Sequence, residues 1–237
     1  MSTPTTILTP SSLPERVRQI TAENIRALQR GYLADQPRAV AALARLRRGA
    51  GKEIEQVPDL WGLIDTGALH DPVHEDGRTP REEDLTRAED AVHVAVTLWS
   101  LHQQSRGTGM HQPGRGKKAP AGLGAAVRRL MPKGDIDETI LKRLVRAGHA
   151  PDLTTLAQRL RDIVLLLRRE GITLDYALLA GQLYRWQRPG GRDDVRRAWA
   201  RSFHAYRPPK DPANGDPADS ASDTDVPYDS DTTKDAS

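Results

Sequence analysis

Three observations predict an all-α fold. Apolar residues recur at spacings of three and four along most of the 237-residue chain. Capping residues and glycine or proline stops punctuate that pattern. No alternating Val/Ile/Thr run is long enough to form a strand. The expected body is a compact bundle of eight or nine helices, packed as one unit or as two sub-bundles.

Ser12-Leu13-Pro14-Glu15 reads as a capping box, opening a helix with Val17, Ile20, Ile25 and Leu28 on one side. Pro37 suits a first helical turn, and Gly49 is a natural stop for a helix over 38–48. Residues 58–64 read as a short helix or turn. In Thr79-Pro80-Arg81-Glu82, Thr is the expected cap and Glu reaches back to it. The helix that follows carries Leu85, Ala88, Val92, Ala95, Val96 and Trp99 on one stripe, with His93 beside it as a satisfied core residue. The glycines of the loop 105–122 read as sources of flexibility. Beyond it, Leu123, Ala126, Val127 and Leu130 line a short helix. Asp135 is the expected cap of a helix ending at 147. Asp152 should cap a longer one bearing Leu153, Leu156, Leu160, Ile163, Val164 and Leu167, stopped at Gly171. Two more helices are expected over 174–187 and 193–206. Trp61, Trp99, Trp186, Trp199, Tyr184 and Phe203 fall mainly at core spacings. The expected organisation is a flexible 1–11, a helical domain over 12–207, and a disordered 208–237 that lacks apolar periodicity.

Charge is divided unevenly. Residues 211–237 contain eight Asp and one Lys, a net of −7, which leaves +10 on the remainder. Clustered positive charge on a folded body is the footprint of a polyanion partner, although 28 Arg against seven Lys also describes arginine-coated helices. The cations fall into groups: Arg45, Arg47, Arg48 and Lys52; Arg106, Arg115, Lys117 and Lys118 in the glycine-rich loop; Arg128, Arg129 and Lys133; and Lys142, Arg143 and Arg146. A phosphate backbone needs cations spaced along a face rather than a unique geometry. Lys142 and Arg146, four apart, share a helix face, whereas Ile140, Leu144 and Ala147 turn inward. The acidic tail is either a solubilising segment or a competitor for the basic face.

Other chemistries find little support. The chain has no cysteine, which excludes disulfides, a thiolate nucleophile and Cys-ligated metals, and fits a reducing cytoplasm. The N-terminus lacks a signal-peptide pattern, and no apolar run is long enough to span a bilayer. His70 and His74, with Asp71, Glu75 and Asp76 beside them, lie in a Gly/Pro-bounded segment without a third ligand at metal spacing. His102 and His111 bracket the glycine-rich loop in positions suited to pinning it. Gly116-Lys117 fails the phosphate-loop pattern, because Lys118 replaces the hydroxyl residue and His111 the first glycine. The carboxylate pairs Glu82-Glu83 and Asp193-Asp194 sit at helix starts, where the dipole favours them. No cofactor, catalytic residue or metal is expected.

The landmarks nevertheless come in a telling order. Leu46-Arg47-Arg48-Gly49 and Val57-Pro58-Asp59-Leu60-Trp61 precede Leu98-Trp99-Ser100-Leu101-His102-Gln103. Met110-His111, Lys117-Lys118, Leu123-Gly124 and Lys142-Arg143-Leu144-Val145-Arg146 follow. Leu174-Asp175-Tyr176, Leu183-Tyr184-Arg185-Trp186 and the segment 195–203 close the series. Taken together over roughly 42–203, this set resembles the CasB family, the small subunit of the type I-E CRISPR surveillance complex Cascade. The resemblance implies a non-catalytic helical protein present in two copies, and the missing cysteines, signal peptide and spanning run predict a soluble, cytoplasmic one. It would contact guide RNA and target DNA, including the displaced strand, beside the other Cascade subunits, and stabilise the R-loop through basic residues. Arg47 and Arg48, Lys117 and Lys118, and Arg146 match family motif positions. Ala125 stands where members often carry arginine, and Gln182-Leu183 replaces the usual Asp-Leu. A stand-alone helical DNA-binding regulator is the alternative, with a metal-dependent nuclease third. The segment 148–152 is not a compact helix-turn-helix turn, and the helix after it is too apolar for recognition.

Overall fold

The computed structural model describes residues 12–72, 79–114 and 122–206. The expectations for 1–11, for the loop centre 115–121 and for the acidic tail lie outside these residues. Eight α-helices occur among the described residues: α1 (Leu13–Leu33), α2 (Pro37–Leu46), α3 (Glu82–Gln103), α4 (Leu123–Arg129), α5 (Glu138–Gly148), α6 (Leu153–Arg169), α7 (Tyr176–Trp186) and α8 (Gly191–Ala205). Extended pairing there is limited to a single parallel bridge between His111 and Leu174. The all-α expectation holds.

Helix α3 organises the core. Every residue from 91 to 103 is buried, not just the expected stripe, because α1, α2, α6 and α7 all pack around it. Thr97 and Ser100 inside it return their hydroxyls to backbone carbonyls of the same helix. One continuous apolar cluster joins α1 to α8, with Trp99, Trp186, Trp199, Tyr176 and Tyr184 among its largest members. Helix α4 lies against α8, and α5 packs on α6 and α8. Gln182, the departure from Asp-Leu, accepts from the Trp199 indole N–H at 2.8 Å and ties α7 to α8.

Several boundaries differ from expectation. Ser12 is the cap residue of α1, but its side chain makes no capping bond. Helix α3 starts at Glu82 with Arg81, not Thr79, at the cap; Glu82, Glu83 and Asp84 in its first turn complement the dipole instead. Asp137 replaces Asp135 as the cap of α5, accepting from Thr139 N–H at 2.8 Å and Ile140 N–H at 3.1 Å. Asp135 reaches only the next amide. Asp152 caps α6 as expected, through Thr155 N–H at 2.7 Å. Helix α2 tightens at Leu46 into a 3₁₀ turn, Arg47–Gly49, and the chain reverses at Gly51, where φ is +83°. Helix α8 begins two residues early, so Asp193 and Asp194 sit in its first turn and pair with Arg196 and Arg197.

Trp61 overturns a core expectation. It is 62% exposed, because Leu60 takes the inward position of the 3₁₀ turn Pro58–Leu60. His93 is buried as expected, with the Lys52 backbone beside its ring, although its Nε2 makes no hydrogen bond of full geometry among the described residues.

Candidate nucleic-acid interface

Helix α5 turns Leu144 and Ala147 into the core, which leaves Arg143 and Arg146 on its outer side beside α6. A groove of about 230 Å³ runs between the two helices, lined by Arg143, Arg146, Thr155, Gln158, Arg159 and Asp162. Among the described residues, neither the Arg143 nor the Arg146 guanidinium has a hydrogen-bond or ion-pair partner, and both residues are exposed. Arg159, which charge clustering did not single out, donates to the Arg146 carbonyl and joins α6 to α5. Its side in the run 158–162 is set by the Leu156–Leu160–Ile163 stripe, and that spacing is the available signal for it. Asp152 fixes the start of α6, and its bonds to the Thr155 amide and hydroxyl hold its carboxyl below the ordinary value. The groove therefore presents guanidinium groups and amide or hydroxyl donors, with Asp162 as the single carboxylate in its lining.

The other cations are placed differently. Lys142 pairs with Glu138 at 3.0 Å on an exposed face. Arg48 sits 3.3 Å from Asp59, both more than half exposed, and Arg45 donates to the Asp59 carbonyl. Arg47 lies half-buried in the same 3₁₀ turn. Arg106 clamps the Arg168 and Arg169 carbonyls that end α6. Arg128 donates to the Pro132 carbonyl at 3.1 Å and Arg129 to the Thr173 carbonyl at 2.6 Å. Burial lowers the Arg129 pKa. Arg115, Lys117 and Lys118 lie outside the described residues.

The first part of the glycine-rich loop is fixed rather than flexible. Gln103 donates to the Arg106 and Thr108 carbonyls and accepts from Met110 N–H. Gln29 Oε1 accepts from His111 N–H and from the Trp99 indole. A Cβ on Gly109 would lie 2.4 Å from the Gln29 amide nitrogen, so close approach explains that glycine. The two histidines do pin this segment. His111 Nδ1 accepts from Tyr176 N–H at 3.2 Å, and His102 Nδ1 lies 2.9 Å from the Tyr176 hydroxyl. Burial pushes both histidines down in pKa, His102 to about 4. Asp175 holds Gly114 N–H at 3.1 Å while capping α7. The described part of the loop, up to Gly114, is thus tied to α1, α3 and the start of α7. His70 stands 3.2 Å from Glu89, and His74, Glu75 and Asp76 of the same segment lie outside the described residues. No cluster of three or more metal-ligating side chains occurs among the described residues. No described helix is long and apolar enough to cross a membrane.

These features define an all-helical protein with a cationic groove between two helices and pinned bases for a basic loop. Residues 42–204 match the model of the family described as CRISPR-associated protein Cse2. The structure is similar to the crystal structure of CasB from Thermobifida fusca, at 50% identity and a TM-score of 0.69, covering 80% of this chain and 98% of that one. It is also similar to CasB from M. ruber, at 27% identity and TM-score 0.51, covering 76% and 92%. A chain of a CRISPR RNA-guided surveillance complex shares the fold at 21% identity and TM-score 0.54, over 79% and 93%. No curated protein matches the chain. The chain belongs to the Cse2, or CasB, family of CRISPR-associated proteins, as its ordered landmarks suggest.

Proposed function

We propose that this protein is a non-catalytic subunit of a CRISPR RNA-guided surveillance complex, holding guide RNA and target DNA by their backbones and steadying the R-loop. Family membership and the likeness to a chain of such a complex support the assembly. The observation that carries the nucleic-acid contact is the α5–α6 groove, whose Arg143 and Arg146 have no partner among the described residues. Forked guanidinium groups suit phosphate oxygens, and base sequence would be read by guide–target pairing. Lys117 and Lys118, with Arg47 and Arg48, are further contacts suggested by the family motif positions, and Arg115 by its place in the basic loop sequence. A second copy of the chain in the assembly follows from the family resemblance.

The test is Arg143→Ala with Arg146→Ala, read as affinity for duplex and single-stranded DNA across a salt series. Two lost phosphate contacts reduce the duplex salt slope by about 2 and weaken every sequence alike. An unchanged slope removes the groove from the interface. A loss confined to one preferred sequence favours the regulator reading.

A further inference from the structure

A second surface carries the opposite charge. A cleft of about 320 Å³ opens between α3 and the segment 54–66, with Ile54, Glu55, Leu60, Trp61, Glu89 and His93 in its walls. No Lys or Arg lines it, on a body whose net charge is +10 outside the tail. Its most exposed large apolar group is Trp61, whose indole N–H is bonded to the Ile54 carbonyl at 3.1 Å. An adjoining cleft of about 310 Å³ shares Ile54, Glu55 and His93 and adds Glu53 and Asp90, against the single cation Lys52. His93, 2% exposed, lines both.

The local field is negative by an independent sign. Burial, followed by Glu55, Glu89 and Glu53, raises Asp90 to about 6. Such a site repels phosphate. It suits a guanidinium or ammonium group, which gains a charge-assisted bond from Glu55, or from Glu89 beside its existing His70 contact, and stacks on the indole of Trp61.

We propose that this cleft docks an arginine- or lysine-bearing segment of a neighbouring protein chain in the surveillance complex. The inference rests on membership of that complex, not on the Arg143–Arg146 contact. A second copy of this chain is a poorer fit, because a two-fold pairing through this face sets acid against acid.

The experiment uses the full chain assembled with its complex, carrying Trp61→benzoylphenylalanine, irradiated and mapped by mass spectrometry. The expected product joins position 61 to an Arg- or Lys-containing peptide of another protein subunit. Adding Glu55→Lys and Glu89→Lys lowers its yield at least tenfold, while Glu55→Gln alone lowers it less and keeps the native melting profile. Cross-linking to RNA or DNA, to a second copy of this chain, or to no chain of an assembled complex overturns the proposal. So does a yield that charge reversal leaves unchanged. An unchanged salt slope in the free Arg143/Arg146 variant would sink the groove contact separately.

Discussion

Gly124→Ala tests the packing on which the α4 cations depend. A Cβ at Gly124 would lie 1.9 Å from the Trp199 carbonyl oxygen, 2.5 Å from the Ser202 hydroxyl and 2.8 Å from the Phe203 nitrogen. Two of these three are backbone atoms of α8, so no rotamer change relieves the clash. Reaching ordinary contact requires α4 to back away from α8 by more than 1 Å, which loosens the burial of Leu123, Ala125, Ala126 and Val127. Overpacking costs about 1–3 kcal/mol where side chains can yield, and more where backbone must move. Alanine returns about 1 kcal/mol of helix propensity. The net destabilisation is therefore about 2–4 kcal/mol, a fall in Tm of about 5–15 °C for a domain of this size. Urea unfolding at pH 7.5, followed by far-UV circular dichroism, reads it directly. Gly124→Ser should be at least as damaging. A Gly124→Ala protein as stable as the native one would refute the close α4–α8 approach, and with it the account of why Leu123-Gly124 stands where it does.

Two pH effects follow from buried groups with opposite signs. His102 is held near 4 in the folded state, mainly by burial, so the unfolded chain binds the extra proton between its ordinary value and that one. Stability is complete above about pH 6.5 and falls by about 3 kcal/mol as pH drops to about 4. His102→Gln should be weaker at pH 7 yet lose less than the native protein between pH 7 and 4.5 in urea titrations. An equal loss in both would exclude His102 as the source. Asp90 behaves conversely: its folded value of about 6 exceeds the ordinary 3.8, so its contribution fades as pH rises through that window. Because the carboxyl is partly solvated, screening leaves about 1 kcal/mol of destabilisation at neutral pH. Asp90→Asn should raise Tm at pH 7.5 by about 2–4 °C and give no gain below pH 4. A lower Tm at pH 7.5 would show that the Asp90 carboxylate is stabilised, not strained, by its surroundings.

Local rules carried the helices because apolar spacing is a property of neighbouring residues. Asp152 could be read as a cap for the same reason, since its acceptor and Thr155 N–H lie within one turn. The rules failed where a competing local group took the role, as Asp137 did from Asp135, and where the helix starts later than its apparent cap, as α3 does at Glu82. They also failed where tertiary contact decides. Gln29 meets His111 across 82 positions, so a loop that reads as flexible is partly fixed. Trp61 has core composition, but Leu60 beside it fills the available interior. The signal for the acidic cleft was equally invisible, because Glu55 and Asp90 come from separate elements.

The arginines show why a cation count does not locate an interface. Arg16 donates to the Asp71 and Pro72 carbonyls, Arg168 to Gln104 and Arg192 to Pro151. With Arg45, Arg106, Arg128, Arg129 and Arg159, they make eight guanidinium groups that hold main-chain carbonyls at loops and helix ends. A planar fork with five donors can bridge successive carbonyls, as Arg106 and Arg16 do, and a lysine ammonium is a poorer match for that geometry. In this chain, then, the preference for arginine over lysine has a folding cause before it has a binding one. Removing those clamps from the tally leaves about a dozen described cations that hold neither a carbonyl nor a carboxylate, Arg18, Arg26, Arg38 and Arg161 among them. Arg143 and Arg146 are two of these, and they lie one helical turn apart on the edge of the same groove. Their shared position on the edge of one groove with a single carboxylate, rather than the total positive charge or the lack of a partner alone, is the physical argument for proposing the phosphate contact on α5.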